Sequence, residues 1–483
     1  MIKKILVFLL FIHNLFVVQS IAQLPDQSTR IKDYLKNSKV VRVYFANSPS
    51  MGHQSNTYQM MLQIREMGFN GKFEIIFNDD KNGYLSTSDI DLNTSQKMKY
   101  FFPEFIPNSP GIQSLDEGKL VFIPKSIFDK DYNKWEVADL AFTGGQDFDK
   151  MNATKIKAKA YLDLYPSKFG GLHPETISYF ENNQSIDIRA YNGLDTPAYI
   201  PKNLSEVENL LKMKDEVSKS VIAILKQGGI TMPIYGLKGY HNLSPFGYAD
   251  QRLVNIVKNV QEALSDSTNK ETKLATSLFV LNQLSEEDKI NIKNGLKKLD
   301  PSIIVVDLTI GEPVINATDI RFKNKIIVYL TGGVPPDLFN YMITSSQLPP
   351  VGGGANFKQI MKQAKRPYLH TQSTSYTLES APNEWIREKI GPILLLKNEH
   401  AVHENLISNA WNEVISGRSN GSLLKFLKES LNGNSPLSNF FMATAGNSSN
   451  KLASALDFMI QNFTKFTVSE AKVGCQNLFK ELI

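Results

Sequence analysis

The stretch from Val40 to Phe77 constrains the fold more than any other part of the chain. Val40-Val41-Arg42-Val43-Tyr44-Phe45 is a β-branched and aromatic run, the composition of a strand. Ala46 to His53 is rich in Ser, Asn, Pro and Gly, the composition of a turn. From Gln54 to Met67 the apolar residues Met60, Met61, Ile64 and Met67 share one helical face, and Gly68 supplies a C-terminal stop. Phe73 to Phe77 then returns as a strand. Strand, loop, helix and strand in that order form a βαβ unit, the start of a parallel sheet.

The same alternation runs on. Strands are predicted over 119–124, 137–142, 160–164 and 231–235, and helices over 204–226 and 250–264. The polar segment 265–273 reads as an interdomain linker. A second series follows it: a strand over 277–281, a helix over 285–299 opened by Ser285 with acids in its first turn, and strands over 302–308 and 325–330. A helix over 335–343, a short strand over 347–351, a Gly-Gly-Gly turn opening a helix to Ala364, and a strand over 366–369 complete it. The tail from His403 is helical in pattern. The expectation is α/β, with two Rossmann-like domains over 40–264 and 274–483, the second carrying the helical tail. A length of 483 residues accommodates two or three domains.

The N-terminus reads as an export signal. Lys3 and Lys4 precede a nearly unbroken apolar run from Ile5 to Val18, and Ser20-Ile21-Ala22 offers small residues for cleavage before Gln23. Residues 1–22 are therefore expected to be removed, leaving a secreted or periplasmic protein with no membrane span. The formal net charge is only +5, and no basic stripe with interleaved aromatics occurs, which argues against a nucleic-acid partner. The single cysteine, Cys475, excludes an intramolecular disulfide.

Two constellations could carry chemistry. In open parallel sheets, ligands sit beyond the carboxyl ends of the strands. Gly332-Gly333 and Gly352-Gly353-Gly354 both fall at such ends, and the second cluster opens a helix through Asn356 and Gln359. Free backbone amides at a helix start favour a phosphate, and glycine lets it approach. The alternative is a turn that needs glycine only for its geometry. The other constellation is Ser50-Met51-Gly52-His53, ahead of the first helix. His53 there has the chemistry of a general base, with Asp139 and Asp147 flanking a neighbouring strand end to orient it. The alternative is a loop histidine that helps cap the helix. His400 and His403 stand three apart rather than the four of a zinc-protease helix, so a polar turn is expected there and no metal site.

The loop from Ser48 to His53 resembles the N-terminal loop of GT-B fold glycosyltransferases, where a Gly-His pair often opens the first helix. The block from Ile343 to Leu369, with Gly352 to Phe357 and Lys365-Arg366-Pro367-Tyr368, resembles the donor-binding region of that group. The resemblance implies two Rossmann-like domains facing across a cleft. It implies a nucleotide-sugar donor held by Gly332, Gly333, Gly352, Gly353, Gly354, Asn356 and Gln359. It also implies an acceptor near Ser50 and Gly52, metal-independent transfer without a cofactor, and His53 as base. The segment Asn356 to Ala364 departs from the group, since it has no acid to hold a ribose. With the export signal, the resemblance points to a secreted effector whose unknown acceptor is a host protein or glycan. The rival readings are an exported two-domain protein that binds a small ligand, and an inactive transferase fold kept for protein interaction.

Overall fold

The computed structural model describes residues 26–46, 51–79, 94–144, 151–164, 176–181, 185–187, 198–211, 215–237, 249–265, 274–353, 355–370, 396–416, 420–444 and 450–462. The expected export signal lies outside them. Among the described residues no helix is long and apolar enough to cross a membrane.

The chain opens with α1 (Gln27–Asn37), β1 (Val40–Phe45), α2 (Met51–Glu66), β2 (Lys72–Phe77), α3 (Thr94–Phe101), β3 (Gln113–Leu115), β4 (Leu120–Pro124) and α4 (Lys125–Lys130). It continues with β5 (Leu140–Thr143), β6 (Ala160–Asp163), β7 (Thr176–Tyr179) and β8 (Ser185–Asp187). These strands form one sheet in the order β3-β4-β2-β1-β5-β6-β7-β8, parallel from β4 to β6 and antiparallel at both margins. Its two faces are both covered. Val41, Val43 and Phe45 of β1 join one apolar cluster with Met60 and Ile64 of α2, and Tyr44 joins another with Phe128 of α4. Burial on both faces is why β1 reads as a continuous apolar run rather than an alternating one.

The second unit comprises α5 (Leu204–Leu211), α6 (Glu216–Lys226), β9 (Ile230–Ile234), α7 (Ala249–Ser265), β10 (Thr276–Val280), α8 (Glu286–Leu299), β11 (Ile304–Asp307) and β12 (Ile326–Leu330). After these come α9 (Pro336–Ser345), β13 (Val351–Gly352), α10 (Ala355–Ala364) and β14 (Leu369–His370). Its six strands are parallel throughout, in the order β11-β12-β10-β9-β13-β14. Helices α11 (Leu396–Ser416), α12 (Ser422–Leu431) and α13 (Pro436–Thr444) follow. They bury Trp411, Phe426 and Leu437 in the core of this second sheet. The fold is therefore α/β with two doubly wound, Rossmann-like units, as the residue pattern requires.

Four boundaries differ from expectation. Strand β9 and helix α7 were expected in the first domain, but β9 pairs with β10 and β13, and α7 packs beneath them. The chain therefore changes units between Asp187 and Leu204, and the polar segment 265–273 connects helix α7 to strand β10 within the second unit. The helix expected over 204–226 is two helices, because the Asp215 carboxylate caps a new start by accepting from the Ser218 amide at 2.9 Å. The expected polar turn around His400 and His403 is part of helix α11, with His403 buried against the Phe440 ring. Finally, the helical tail is shared. A last helix over 451–462, α14, returns to the first unit, where Leu452, Leu456 and Met459 enter its core. There the Asp457 carboxylate accepts a two-pronged bond from Arg30 at 2.7 and 2.8 Å.

Candidate functional site

Each sheet has one place where its strand order reverses direction. In the first sheet the chain builds β1, β2 and β4 to one side and then crosses to β5, so the reversal lies between β1 and β5. In the second it lies between β9 and β13. Loops leaving neighbouring strands there diverge to opposite faces and leave a crevice, the usual ligand position in such sheets.

The expected site residues sort themselves against this frame. Helix α2 follows β1 and already includes Met51, Gly52 and His53. His53 is therefore a first-turn helical residue rather than a loop residue ahead of the helix, and its backbone stands at the reversal of the first sheet. Gln54, in the same turn, fixes the exit of β1 by donating to the Ala46 carbonyl at 2.9 Å. Ser50 and Asp147 lie outside the described residues, Asp147 in the segment that follows β5 and Gly144.

Asp139 belongs elsewhere. It precedes β5, at the amino edge of the sheet, while His53 follows the carboxyl end of β1. Five residues of strand separate the two edges, about 17 Å. The Asp139 carboxylate accepts from the backbone amides of Lys39 at 2.6 Å and Val40 at 3.2 Å, and from Lys159 Nζ at 2.8 Å. Burial pushes this carboxyl up, and the bonds from Lys159, Lys39 and Val40 outweigh it and hold the group below the usual range. Asp139 ties strand starts together and cannot orient His53.

In the second unit, Gly352 ends β13 at the reversal, and helix α10 begins three residues later. Gly354 lies outside the described residues, as does the Asn356 side chain. The absent side chain of Gly352 makes room for protein, not ligand: a Cβ there would stand 2.5 Å from the Phe357 ring. That ring is buried among Ile343, Ile360 and Met361 and meets Tyr368 edge-on at 5.7 Å between centroids. Gly352→Ala is therefore expected to destabilise the protein by about 1–3 kcal/mol through overpacking. Urea unfolding checks this, and Phe357→Leu in the same chain should restore part of the loss. Gly353 is half-buried and, of the described glycines of the cluster, is the one left to meet a ligand. Gly332 and Gly333 follow β12, two strands away from β9 and the reversal, and Gly333 lies against the Tyr100 ring of the first unit.

Gln359 is buried on α10, with neither amide atom hydrogen-bonded. It belongs to a polar seam where the two units touch, and sequence reasoning missed the rest of that seam. Residues 198–200 cross between the units there. The Tyr199 amide donates to Gln59 Oε1 of α2 at 2.7 Å, and its carbonyl accepts from Asn340 Nδ2 of α9 at 2.8 Å. The Ala198 amide donates to Gln363 Oε1 of α10 at 2.9 Å. Gln283 Nε2 of the second unit donates to the Tyr100 hydroxyl of the first.

At the centre is Asp337, fully buried in the first turn of α9 behind Pro335 and Pro336. Tyr58 of α2 donates its hydroxyl to Asp337 Oδ2 at 2.9 Å, and Oδ1 has no partner. Burial pushes this carboxyl up to about 7, against the pull of the Tyr58 bond and with a further push from Glu206. The folded protein thus keeps a proton that the unfolded chain releases near pH 4. The stability this contributes is complete below that pH and is lost as pH rises through about 7. The sequence carried a signal for the residue, an acid directly after Pro335-Pro336 at a helix start behind a Gly-Gly turn.

No protein-family model matches the chain, and no curated protein sequence matches it. Among solved structures it is similar to the α,α-trehalose 6-phosphate synthase of Burkholderia multivorans. That match has 8% identity and a TM-score of 0.35, over 90% of this chain and 98% of that one. It is similar to a putative UDP-N-acetylglucosamine 2-epimerase of Listeria monocytogenes, with 12% identity and a TM-score of 0.34, over 86% and 94%. It is also similar to a glycosyl transferase family 9 protein of Veillonella parvula, with 8% identity and a TM-score of 0.32, over 70% and 81%. Likeness of this order is too slight to bear on the chemistry, which rests on the residues themselves.

Proposed function

We propose that the chain is a glycosyltransferase of GT-B type, moving a sugar from a nucleoside-diphosphate donor to an acceptor outside the cytoplasm. One observation carries the reading. The glycine turn after β13 and the His53 helix after β1 each stand at the reversal point of their own sheet, the position where such sheets take ligands. In this reading the free amides from Gly353 into the first turn of α10 hold the diphosphate, and the helix dipole stabilises it as a leaving group. His53 takes the proton of the acceptor hydroxyl, and Asp147 is the acid that the sequence offers to orient it. The donor charge is met by backbone amides, so the reaction needs no metal.

Titration calorimetry of the purified chain with uridine, adenosine and guanosine diphosphates tests the reading. Binding of at least one nucleotide is expected, with about a tenfold or greater loss in Gly353→Asp, where a carboxylate would meet the phosphates. The absence of binding by every nucleotide sinks the proposal. A second reading has its own support in Phe357 filling the space at Gly352 and Tyr100 lying against Gly333. In it the fold is retained as an interaction body without turnover. Nucleotide binding that His53→Ala leaves intact, in a protein that releases no nucleotide from any sugar donor, favours that reading.

A further inference from the structure

The seam between the units is built from groups that water can replace. Ala198 and Ile200 of the crossing segment pack with Ile343, Ile360 and Met361, so this segment would travel with the second unit. Among the described residues, the hydrogen bonds that must break for the units to part are then Tyr58 to Asp337, Gln59 to the Tyr199 amide, and Tyr100 to Gln283, beside the packing of α2 on α10 and of Tyr100 on Gly333. Buried beside them without partners are Gln59 Nε2, Asn340 Oδ1, Asp337 Oδ1 and both amide atoms of Gln359. Each of these gains a hydrogen bond when water enters, so the closed seam holds groups that opening satisfies.

We propose that the Tyr58–Asp337 contact is a proton-operated latch: a neutral Asp337 keeps the two α/β units joined, and its ionisation parts them. The proposal stands on the seam alone and does not require glycosyl transfer. Asp337 is sealed from water and makes no ion pair. Among the described residues, the ionisable groups that act on it are phenols and a carboxylate. Tyr58 faces it from α2, Tyr199 from the crossing segment, and Glu206 from α5, where Glu206 accepts from the Tyr199 hydroxyl. Lys202 acts on Glu206, both by donating its backbone amide to that carboxylate at 2.7 Å and through its charge. On its own helix Asn340, three residues on, donates its amide to the Tyr199 carbonyl. A carboxylate formed here has one donor and a neighbouring carboxylate, and its release is exposure to water. The direction of the burial shift places the change on the alkaline side of the ordinary carboxylate range.

Small-angle scattering across pH 5.5 to 8.5 at fixed ionic strength tests the latch. For the wild-type chain the radius of gyration should rise by about 1–2 Å from a compact value of roughly 23 Å, centred near neutrality. Asp337→Asn, which keeps an acceptor for Tyr58 and cannot ionise, should stay compact throughout. Tyr58→Phe, which removes the cross-seam bond, should be expanded already at pH 6. A wild-type radius that does not change with pH overturns the proposal. So does an Asp337→Asn variant that expands like wild type, or a Tyr58→Phe variant that matches wild type at every pH.

Discussion

Arg42→Ala is expected to destabilise the protein by about 3–5 kcal/mol, enough to leave a marginal domain largely unfolded at room temperature. Arg42 sits in the middle of β1 and is 1% exposed. Its Nε donates to Glu74 Oε2 at 2.8 Å, Nη2 to the Glu136 carbonyl at 2.7 Å, and Nη1 to the carbonyls of Ile156 and Lys157. The guanidinium also stands over the Phe128 ring, 5.3 Å from its centroid. Burial lowers its proton affinity, and Glu74 pulls it back. Truncation would leave three carbonyls without this donor and Glu74 with only Lys72, whose Nζ reaches Oε1 at 2.7 Å. Urea denaturation at pH 7 measures the loss. Arg42→Lys should recover little of it, because an ammonium cannot serve a carboxylate and three carbonyls in one plane. The double variant Arg42→Met, Glu74→Leu should be more stable than Arg42→Ala, since it removes the charge that the single change strands. A loss below 1 kcal/mol in Arg42→Ala would mean that this network is incidental.

Arg42 also shows what the sequence exposes and what it hides. The run from Val40 to Phe45 is legible as a strand because five of its six residues are apolar or aromatic and favour extended backbone. Nothing in that run says whether the arginine points to solvent or into a four-partner socket. The partners come from positions 74, 136, 156 and 157, and only the sheet order brings them together. The same limit explains β9. Its strand character is local and was read to within a residue, whereas its membership of the second sheet depends on pairing with β10 and β13, to which composition is blind. Capping is local and was read correctly. Ser285 opens α8 with a full capping box to Asp288, as its residue types require. Among the candidate site residues, the placement of Gly352 and His53 at strand exits followed from the βαβ pattern. The role of Asp139 did not, because a one-dimensional pattern locates an acid near a strand without fixing which end it occupies when the strand is three residues shorter at its start than expected. The partners of Asp337 across the seam were invisible for a related reason. Its donors and acceptors are ordinary Gln, Asn and Tyr residues spread from position 58 to 363.

Gly144→Ala is expected to cost about 3 kcal/mol or more and to disturb the proposed site as well. Gly144 follows β5 at the reversal of the first sheet, and its backbone lies directly on α2. A Cβ there would stand 2.5 Å from the Thr57 amide nitrogen and 2.7 Å from the Asn56 carbonyl carbon. Those are main-chain atoms inside a helix, so no side-chain rotation relieves the clash, and α2 must move away from the strand end. Two buried bonds hold it there now. The Gly144 amide donates to Thr57 Oγ1 at 3.0 Å, and Asn56 Nδ2 donates to the Gly144 carbonyl at 2.5 Å. Thr57→Ala removes one of these without the clash and should cost only about 1 kcal/mol. The contrast between the two variants in urea unfolding separates close backbone approach from hydrogen bonding. Because His53 lies in the same helix, one turn before Asn56 and Thr57, a shift of about 1 Å carries it out of register with any acceptor. Under conditions where Gly144→Ala is folded, sugar transfer should therefore fall roughly 100-fold, while nucleotide binding on the second unit is unchanged. Transfer that survives in a folded Gly144→Ala chain would detach His53 from the reaction, and equal unfolding midpoints for Gly144→Ala and Thr57→Ala would show that α2 yields freely at this contact.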